Sequence, residues 1–352
     1  LYKTGVRIGL DNAINQLYGI SGDSLATEWA EATKETYLPL AGDRTPADSL
    51  GQRVLTENDL NIAPSLSPDG RYVAYISSNI FNLTLFVADA ETGEVITELG
   101  GAGTIPHFDA LRFISSAGAW GPNGERLAFI SFAEGDNEIA IWNVDENEIT
   151  ERFEVAGVSA MKNVAWSPDG TQLAFSGMDG GISDLYVMDM ETREARQLTN
   201  DRYADLQPTW SPDGSKIAFT TDRTRTDLQS LDTSTDMSLA LIDVESGAVE
   251  VRTPFPDALH HNPQFAPDGQ SLYFIADQDG FKDIYRMDLT TGRLHRVTHL
   301  QTGVSGITAL SPAMSVARQN GDLMFSVFSD GGYTCVALPG SGTALATSPV
   351  RK

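Results

Sequence analysis

The sequence predicts an all-β fold, namely a six-bladed β-propeller whose blades are four-stranded antiparallel sheets. Three observations lead to this prediction. A Pro-Asp-Gly turn recurs along the chain, an apolar strand follows each copy, and a segment before the first repeat matches the strand that the last repeat lacks. A period of about 45 residues is typical of one four-stranded blade per repeat.

The turn signature is Ser-Pro-Asp-Gly or a close variant of it. Proline presets φ and glycine accepts positive φ, so the tetrapeptide reverses the chain tightly. Copies stand at residues 67–70, 121–124, 167–170, 211–214 and 266–269, and a degenerate sixth copy is predicted to begin at Ser311-Pro312. Successive prolines are 54, 46, 44, 55 and 45 residues apart, which fits one blade per copy with two longer units.

Each turn lies between two predicted strands. The strand before it ends in a large apolar residue, which is Leu66, Trp120, Trp166, Trp210, Phe265 or Leu310. The strand after it is apolar almost throughout, as at 73–76 and 173–175. Such a strand is covered on both faces, as expected where each blade packs between two neighbours. A third strand ending in Asp, such as 185–189, and a more polar outer strand, such as 195–199, complete the unit.

This pattern resembles the TolB-like propeller repeat over roughly residues 52–340. That repeat has a large apolar residue, Ser-Pro-Asp-Gly, an apolar strand, an Asp-terminated strand and a Thr-Gly-Glu-like turn. No blade ends in the Trp-Asp pair of WD-type propellers, and the recurrent Gly-Gly of kelch-type propellers does not occur. The resemblance implies a fold and a protein-binding habit, not a reaction.

The last blade is predicted to be assembled from both ends of the propeller. The sixth repeat has three predicted strands, near 307–310, 322–328 and 333–338. Its fourth strand is expected at residues 53–56, because their sequence Arg-Val-Leu-Thr matches the outer strand Arg-Gln-Leu-Thr at 196–199. This strand would leave no sheet edge open in the ring.

The chain is predicted to divide into a helical segment at 1–40, a linker at 41–52, the propeller at 53–340 and a C-terminal tail at 341–352. Apolar residues at helical spacing followed by Gly19 indicate a first helix, and Ser21 is a suitable cap for a second, which Pro39 is expected to end. The two helices around Gly-Ile-Ser-Gly also resemble the tail of a zinc-peptidase-like domain, without a catalytic motif.

The chain is strongly acidic, since 24 Lys and Arg against 48 Asp and Glu give a net charge of −24. An acidic surface repels phosphate backbones, so we expect no nucleic-acid partner and a protein partner with a basic or apolar docking face. The alternative is that the charge serves only solubility. No apolar run reaches the roughly 20 residues that a membrane-spanning helix needs, so the chain itself is not predicted to be transmembrane. The single cysteine, Cys335, has apolar neighbours and is predicted to be a buried, inert thiol.

The sequence contains no motif for catalysis. It has no His-Glu-x-x-His, no Gly-x-Ser-x-Gly and no phosphate-binding Gly-rich loop. We therefore predict no enzyme activity in this chain, no cofactor and no catalytic or metal-ligating residue. The blade alignment places Asn61, Asp205 and His260 just before inner strands, as candidate residues at the mouth of the central channel. One alternative is that these positions form a metal or ligand site, which would include the pair His260-His261. The other is that they form a solvated polar rim.

Two insertions lengthen the repeats. Residues 100–109 form a glycine-rich loop between blades one and two, and its candidate partner-binding residues are Ile105, Pro106, His107 and Phe108. Residues 223–236 form a polar insertion within blade four. Long loops on a rigid scaffold usually carry binding, and the alternative is that the first loop covers a blade or plugs the channel.

These observations favour a non-catalytic propeller scaffold that mediates protein–protein interaction in the cell envelope, as a peripheral subunit of a membrane-associated complex. The resemblance and a first residue other than Met favour a processed protein that is periplasmic or otherwise exported. The alternative is the accessory propeller of a larger metallopeptidase-like protein whose catalytic domain is absent from this chain.

Overall fold

The computed structural model describes residues 8–56, 60–79, 82–99, 110–111, 116–133, 136–224, 237–340 and 348–349. The chain divides into two compact units, Leu1–Thr45 and Pro46–Lys352. In the first unit, helix α1 spans Leu10–Tyr18 and helix α2 spans Gly22–Ala41.

Both helices have the predicted end signals. Gly19 ends α1 in the left-handed conformation, with φ 73°, and the Ser21 hydroxyl caps α2 by accepting a hydrogen bond from Ser24 N at 3.1 Å. The expectation that Pro39 ends the second helix is wrong, because α2 continues to Ala41. A proline so close to the C-terminus removes one backbone hydrogen bond from a helix that ends two residues later, so the helix tolerates it.

The second unit begins with a short 3₁₀ helix at Ala47–Ser49 and strand β1 (Gln52–Leu55). Blade one consists of β2 (Asn61–Leu66), β3 (Tyr72–Asn79), β4 (Asn82–Asp89) and β5 (Val95–Leu99). Blade two has an inner strand in two pieces, β6 (Ala110–Leu111) and β7 (Ala119–Trp120), then β8 (Arg126–Ala133), β9 (Asp136–Asn143) and β10 (Glu148–Phe153). Blade three consists of β11 (Ala160–Trp166), β12 (Gln172–Asp179), β13 (Ile182–Asp189) and β14 (Ala195–Gln197).

The remaining blades follow the same antiparallel order. Blade four consists of β15 (Asp205–Trp210), β16 (Lys216–Thr221), β17 (Ser238–Asp243) and β18 (Val249–Arg252). Blade five consists of β19 (His260–Phe265), β20 (Ser271–Ala276), β21 (Asp283–Asp288) and β22 (Leu294–Arg296). Blade six consists of β23 (Met314–Val316), β24 (Leu323–Ser329) and β25 (Gly332–Leu338), with β1 as its outer strand.

The six blades form a closed ring, which confirms the predicted fold. Neighbouring inner strands contact one another in the order β2, β7, β11, β15, β19, β23 and back to β2. Within the described ranges, each of six apolar clusters lies between two adjacent blades. Trp142, for example, belongs to the cluster between blades one and two, and Trp166 to the cluster between blades two and three. Burial on both faces of each blade explains the continuous apolar strands.

The predicted closure is also confirmed. Strand β1 pairs antiparallel with β25, and Arg53 lies opposite Val336. Val54 and Leu55 are buried in the cluster between blades six and one, and the Thr334 hydroxyl donates a hydrogen bond to Leu55 O at 2.6 Å. The ring is therefore held by backbone pairing between two distant parts of the chain.

The prediction for the sixth turn is wrong. The inner strand of blade six is Met314–Val316 rather than 307–310, and the turn that follows it spans 317–322 instead of beginning at Ser311-Pro312. The register shows the equivalence, because Val316 pairs with Leu323 in the way that Leu66 pairs with Val73 in blade one. Strand pairing, not the Ser-Pro dipeptide, sets the position of the turn.

A short strand near the C-terminus extends blade five. Strand β26 (Ser348–Pro349) pairs with β22, with His295 opposite Pro349 and Arg296 opposite Ser348. Blade five therefore has a fifth strand, which lies on the outer edge of its sheet.

Candidate functional site

The blade turns surround one end of the central channel. Five prolines occupy equivalent places in the turns of blades one to five and line a cavity of about 200 Å³, namely Pro68, Pro122, Pro168, Pro212 and Pro267. Turn glycines pack against the proline of the preceding blade, as Gly170 does against Pro122 and Gly269 against Pro212. We call this end of the channel the proline mouth.

Arg318 takes the sixth place in the proline mouth. Residues 317–322 of blade six correspond to residues 67–72 of blade one, so that Arg318 stands where blade one has Pro68. Its guanidinium Nη2 donates a hydrogen bond to Trp166 O at 2.9 Å. Trp166 belongs to blade three, which is opposite blade six in a ring of six. The side chain therefore crosses the channel.

Two cavities meet at Arg318. One is the proline mouth, and the other is a smaller cavity of about 90 Å³ between the inner strands, lined by polar residues that include Asn163, Gln207 and Asn262. Neither lining contains Asp or Glu, so Arg318 is the only charged residue there among those the structure describes. Burial lowers the pKa of Arg318 to about 10, which leaves the guanidinium protonated at neutral pH.

The predicted channel-mouth residues lie at the other end of the inner strands. Asn61, Asp205 and His260 are the first residues of β2, β15 and β19, and they occupy equivalent register positions. All three are almost completely buried, with exposed fractions of 1%, 0% and 0%. They belong to different blades, and their use as a ligand site stays a prediction.

His260 is fixed as a neutral imidazole by two backbone groups. Phe255 N–H donates to Nε2 at 3.1 Å, so Nδ1 carries the proton and faces Met237 O at 3.0 Å. Burial lowers the pKa of His260. His261 is also buried, burial lowers its pKa well below the usual value, and neither ring nitrogen has a hydrogen-bond partner among the described residues. A metal ion shared by the two histidines would have to displace one of the backbone hydrogen bonds of His260, and such a site stays a prediction.

Asp205 is part of a hydrogen-bonded charge cluster. Its Oδ1 accepts hydrogen bonds from Thr221 Oγ1 at 2.8 Å and from Arg223, and Arg223 Nη2 also donates to Asp201 at 2.6 Å. Burial raises the pKa of the Asp205 carboxyl, and the guanidinium opposes that rise. Asp184, Asp201 and Asp205 have the mutual spacing of metal ligands. Because Arg223 already neutralises two of them, a cation would have to displace it.

Three further predictions concern the two insertions, the cysteine and the absence of a membrane-spanning helix. Ile105, Pro106, His107 and Phe108 lie outside the described residues, as does most of the 223–236 insertion. Cys335 is completely buried, and burial raises the pKa of its thiol, as expected for an unreactive cysteine. Among the residues the structure describes, no helix is both long enough and apolar enough to span a membrane.

The sequence analysis missed Arg318. The signal that identifies it is the pair Asn320-Gly321, a turn dipeptide placed just before the apolar strand 323–325, at nearly the offset of Asp-Gly in the other copies. Ser311-Pro312 satisfied the signature but not that offset.

The comparisons with known proteins agree with the ring geometry. The sequence model of the TolB beta propeller domain matches residues 109–238. TolB from Acinetobacter baumannii has a TM-score of 0.51 at 21% identity, and the match covers 77% of this chain and 65% of that protein. The putative TolB from Agrobacterium tumefaciens has a TM-score of 0.52 at 19% identity, with coverage of 83% and 91%. No curated protein matches the chain significantly.

A further solved structure shows that the fold is not tied to one function. Hydrazine synthase from Kuenenia stuttgartiensis has a TM-score of 0.52 at 16% identity, and the match covers 82% of this chain and 89% of that one. At these identities the solved structures establish the fold alone. They share the six-bladed propeller fold with this chain, residues 109–238 of which match the TolB beta propeller domain, and the chain spans just under two thirds of the Acinetobacter protein.

Proposed function

We propose that this chain is a non-catalytic scaffold that binds another protein in the cell envelope, as a peripheral subunit of a membrane-associated complex. The observation that carries the proposal is the match to the TolB beta propeller domain, supported by the fold shared with two TolB structures. TolB-like propellers are generally non-enzymatic, they bind proteins, and TolB homologues are periplasmic.

The topology favours one end of the propeller for docking. The first insertion leaves the outer strand β5 after Leu99 and enters the inner strand of blade two at Ala110. The second insertion follows strand β16 and ends before Met237, which directly precedes strand β17. In the up-and-down order of these blades, the described residues on either side of both insertions lie at the end where inner strands begin, opposite the proline mouth. We assign partner binding to this end, with Ile105, Pro106, His107 and Phe108 as the contact residues.

The charge and the packing of the blades support this assignment. Each blade is buried between two neighbours, so loops at the ends of the ring remain as the usual binding elements. Burial of a phenylalanine such as Phe108 against a partner contributes about 1.5–3 kcal/mol. A net charge of −24 attracts a basic face and repels an acidic one.

The test is a double substitution, Ile105→Ser with Phe108→Ser. The full chain, carrying a photo-crosslinker at Thr104, is expressed in its native host, and the cross-linked envelope protein is identified, purified and titrated against both forms. We expect at least a tenfold loss of affinity and an unchanged Tm. The matched control replaces Val249 and Val251, two partly exposed residues on the outer strand of blade four, by Ser.

The control should keep full affinity. Retained affinity in the loop variant, or an equal loss in the control, contradicts the assignment of the loop. Fractionation of the host tests the location, because recovery of the protein in the cytosol instead of the periplasmic fraction contradicts an envelope role.

A further inference from the structure

Arg318 is a cation without a counter-ion in the described part of the chain. Among the described residues its hydrogen-bond partner is Trp166 O, and burial lowers its pKa. A guanidinium has five N–H donors, so this bond leaves four of them without a described protein partner. Arg318 is only partly buried, so its remaining N–H groups are open to an anion that enters the channel, and a charge-assisted hydrogen bond would form there.

The channel contrasts with the rest of the molecule. The chain has twice as many acidic as basic residues, yet no described residue lining the two cavities around Arg318 is Asp or Glu. An anion in the proline mouth therefore meets one positive charge, and the aspartates that follow four of the prolines, Asp69, Asp169, Asp213 and Asp268, do not line the mouth. Two other arginines differ in this respect, since Arg193 pairs with Glu151 and Arg286 with Asp268.

We propose that the proline mouth binds a carboxylate group, with the Arg318 guanidinium as its anchor. The planar fork of a guanidinium matches the two oxygens of a carboxylate. The walls favour a monoanion over phosphate, because proline has no backbone N–H and Arg318 is the only cation among the described residues that line the mouth. A volume of about 200 Å³ accommodates a small carboxylate or the last residue of a peptide. This proposal goes beyond the scaffold function and does not depend on its partner.

The test titrates purified full-length protein with sodium acetate, with N-acetyl-alanyl-alanine and with the C-terminal amide of that peptide. The readout is the indole N–H resonance of Trp210, which lines the proline mouth. For so small a ligand we expect saturable shifts with a dissociation constant of about 1 mM. Saturation by acetate alone indicates a free small carboxylate, and saturation by the free-acid peptide but not its amide indicates a chain terminus.

Two substitutions at one position make the test specific. Arg318→Gln should weaken binding at least tenfold, and Arg318→Lys should weaken it less, because a single ammonium keeps the charge without the fork. Should the Gln variant fail to fold, the Lys variant decides alone. The control Arg202→Gln changes a surface arginine that bonds to Tyr203 and should leave binding unchanged. Absence of saturation up to about 50 mM, or equal affinity in wild type and Arg318→Lys, overturns the proposal.

Discussion

The turns of blades one to five and the turn of blade six occupy the same place in the fold with different residues. In blade three, the Ser167 hydroxyl donates to Asp169 Oδ1 at 2.6 Å and accepts from Gln172 N at 2.9 Å, so the turn is stabilised within itself. In blade six, Ala317 replaces the serine, and no such hydroxyl is present. The repeat thus preserves strand register more strictly than it preserves the residues of the turn.

The sixth turn has internal bonds between Asn320 and Asp322, and it is also bonded to its neighbour. Gln319 N donates to Pro68 O at 2.8 Å, and Asn320 Nδ2 donates to Asp69 O at 3.0 Å. These bonds join blades six and one, the same pair that β1 joins through β25. Blades one, three and four have a serine that bonds to the aspartate of its own turn. Blade six has no such serine, and its turn bonds to blade one, with Arg318 across the channel.

The largest effect is expected from removing the closing strand. Deletion of residues 52–55 exposes the cluster that holds Val54 and Leu55, which costs about 3–6 kcal/mol from these two side chains alone. In calorimetry we expect Tm to fall by at least roughly 5–10 °C.

The fifth strand of blade five provides the control for that deletion. Truncation after residue 340 removes β26, whose two paired residues lie on the outside of a complete four-stranded blade. We expect a shift of less than about 4 °C, the effect of roughly 1 kcal/mol. Equal shifts for the two deletions would show that closure through β1 has no special role.

Most of the ring was predictable because its signals are local and repeated. Proline and glycine at fixed spacing mark the turns, and apolar strands mark the buried faces. The position of the sixth turn was not predictable, because Ser311-Pro312 has the turn signature. Only the pairing of Val316 with Leu323 shows that the turn lies at 317–322 instead. Strand β26 has too few residues for any sequence pattern.

The candidate site was less predictable than the fold. The alignment of Asn61, Asp205 and His260 at the starts of inner strands could be read from the repeats, but their complete burial depends on tertiary packing. The position of the Arg318 side chain across the channel depends on its hydrogen bond to Trp166 O on the opposite side of the ring. No local pattern reports a contact between blades that are opposite each other.

An intermediate effect is expected within a single turn. Ser167→Ala removes two hydrogen bonds in which the buried hydroxyl takes part and should cost about 1–2 kcal/mol in urea unfolding. Thr171→Ala is the control in the same turn, because its exposed hydroxyl donates only to Asp169, and it should cost less than about 0.5 kcal/mol. A similar loss in both variants would mean that the serine has no special part in the turn.

The smallest effect is a pH dependence that separates the two kinds of turn. Hydrogen bonds from Ser167 and from Thr171 N hold the pKa of Asp169 below its ordinary value. A lowered folded-state pKa contributes stability above the ordinary value of about 3.9, and this contribution is lost as the pH falls below it toward the folded-state pKa. The stability difference between wild type and Ser167→Ala should therefore shrink between pH 5 and pH 3.

The control is Ala317→Ser in blade six, where Gln319 takes the place of the aspartate. Its stability difference from wild type should not change over that range. Urea unfolding at each pH measures both differences, and parallel profiles for wild type and Ser167→Ala would show that the hydroxyl does not act through Asp169.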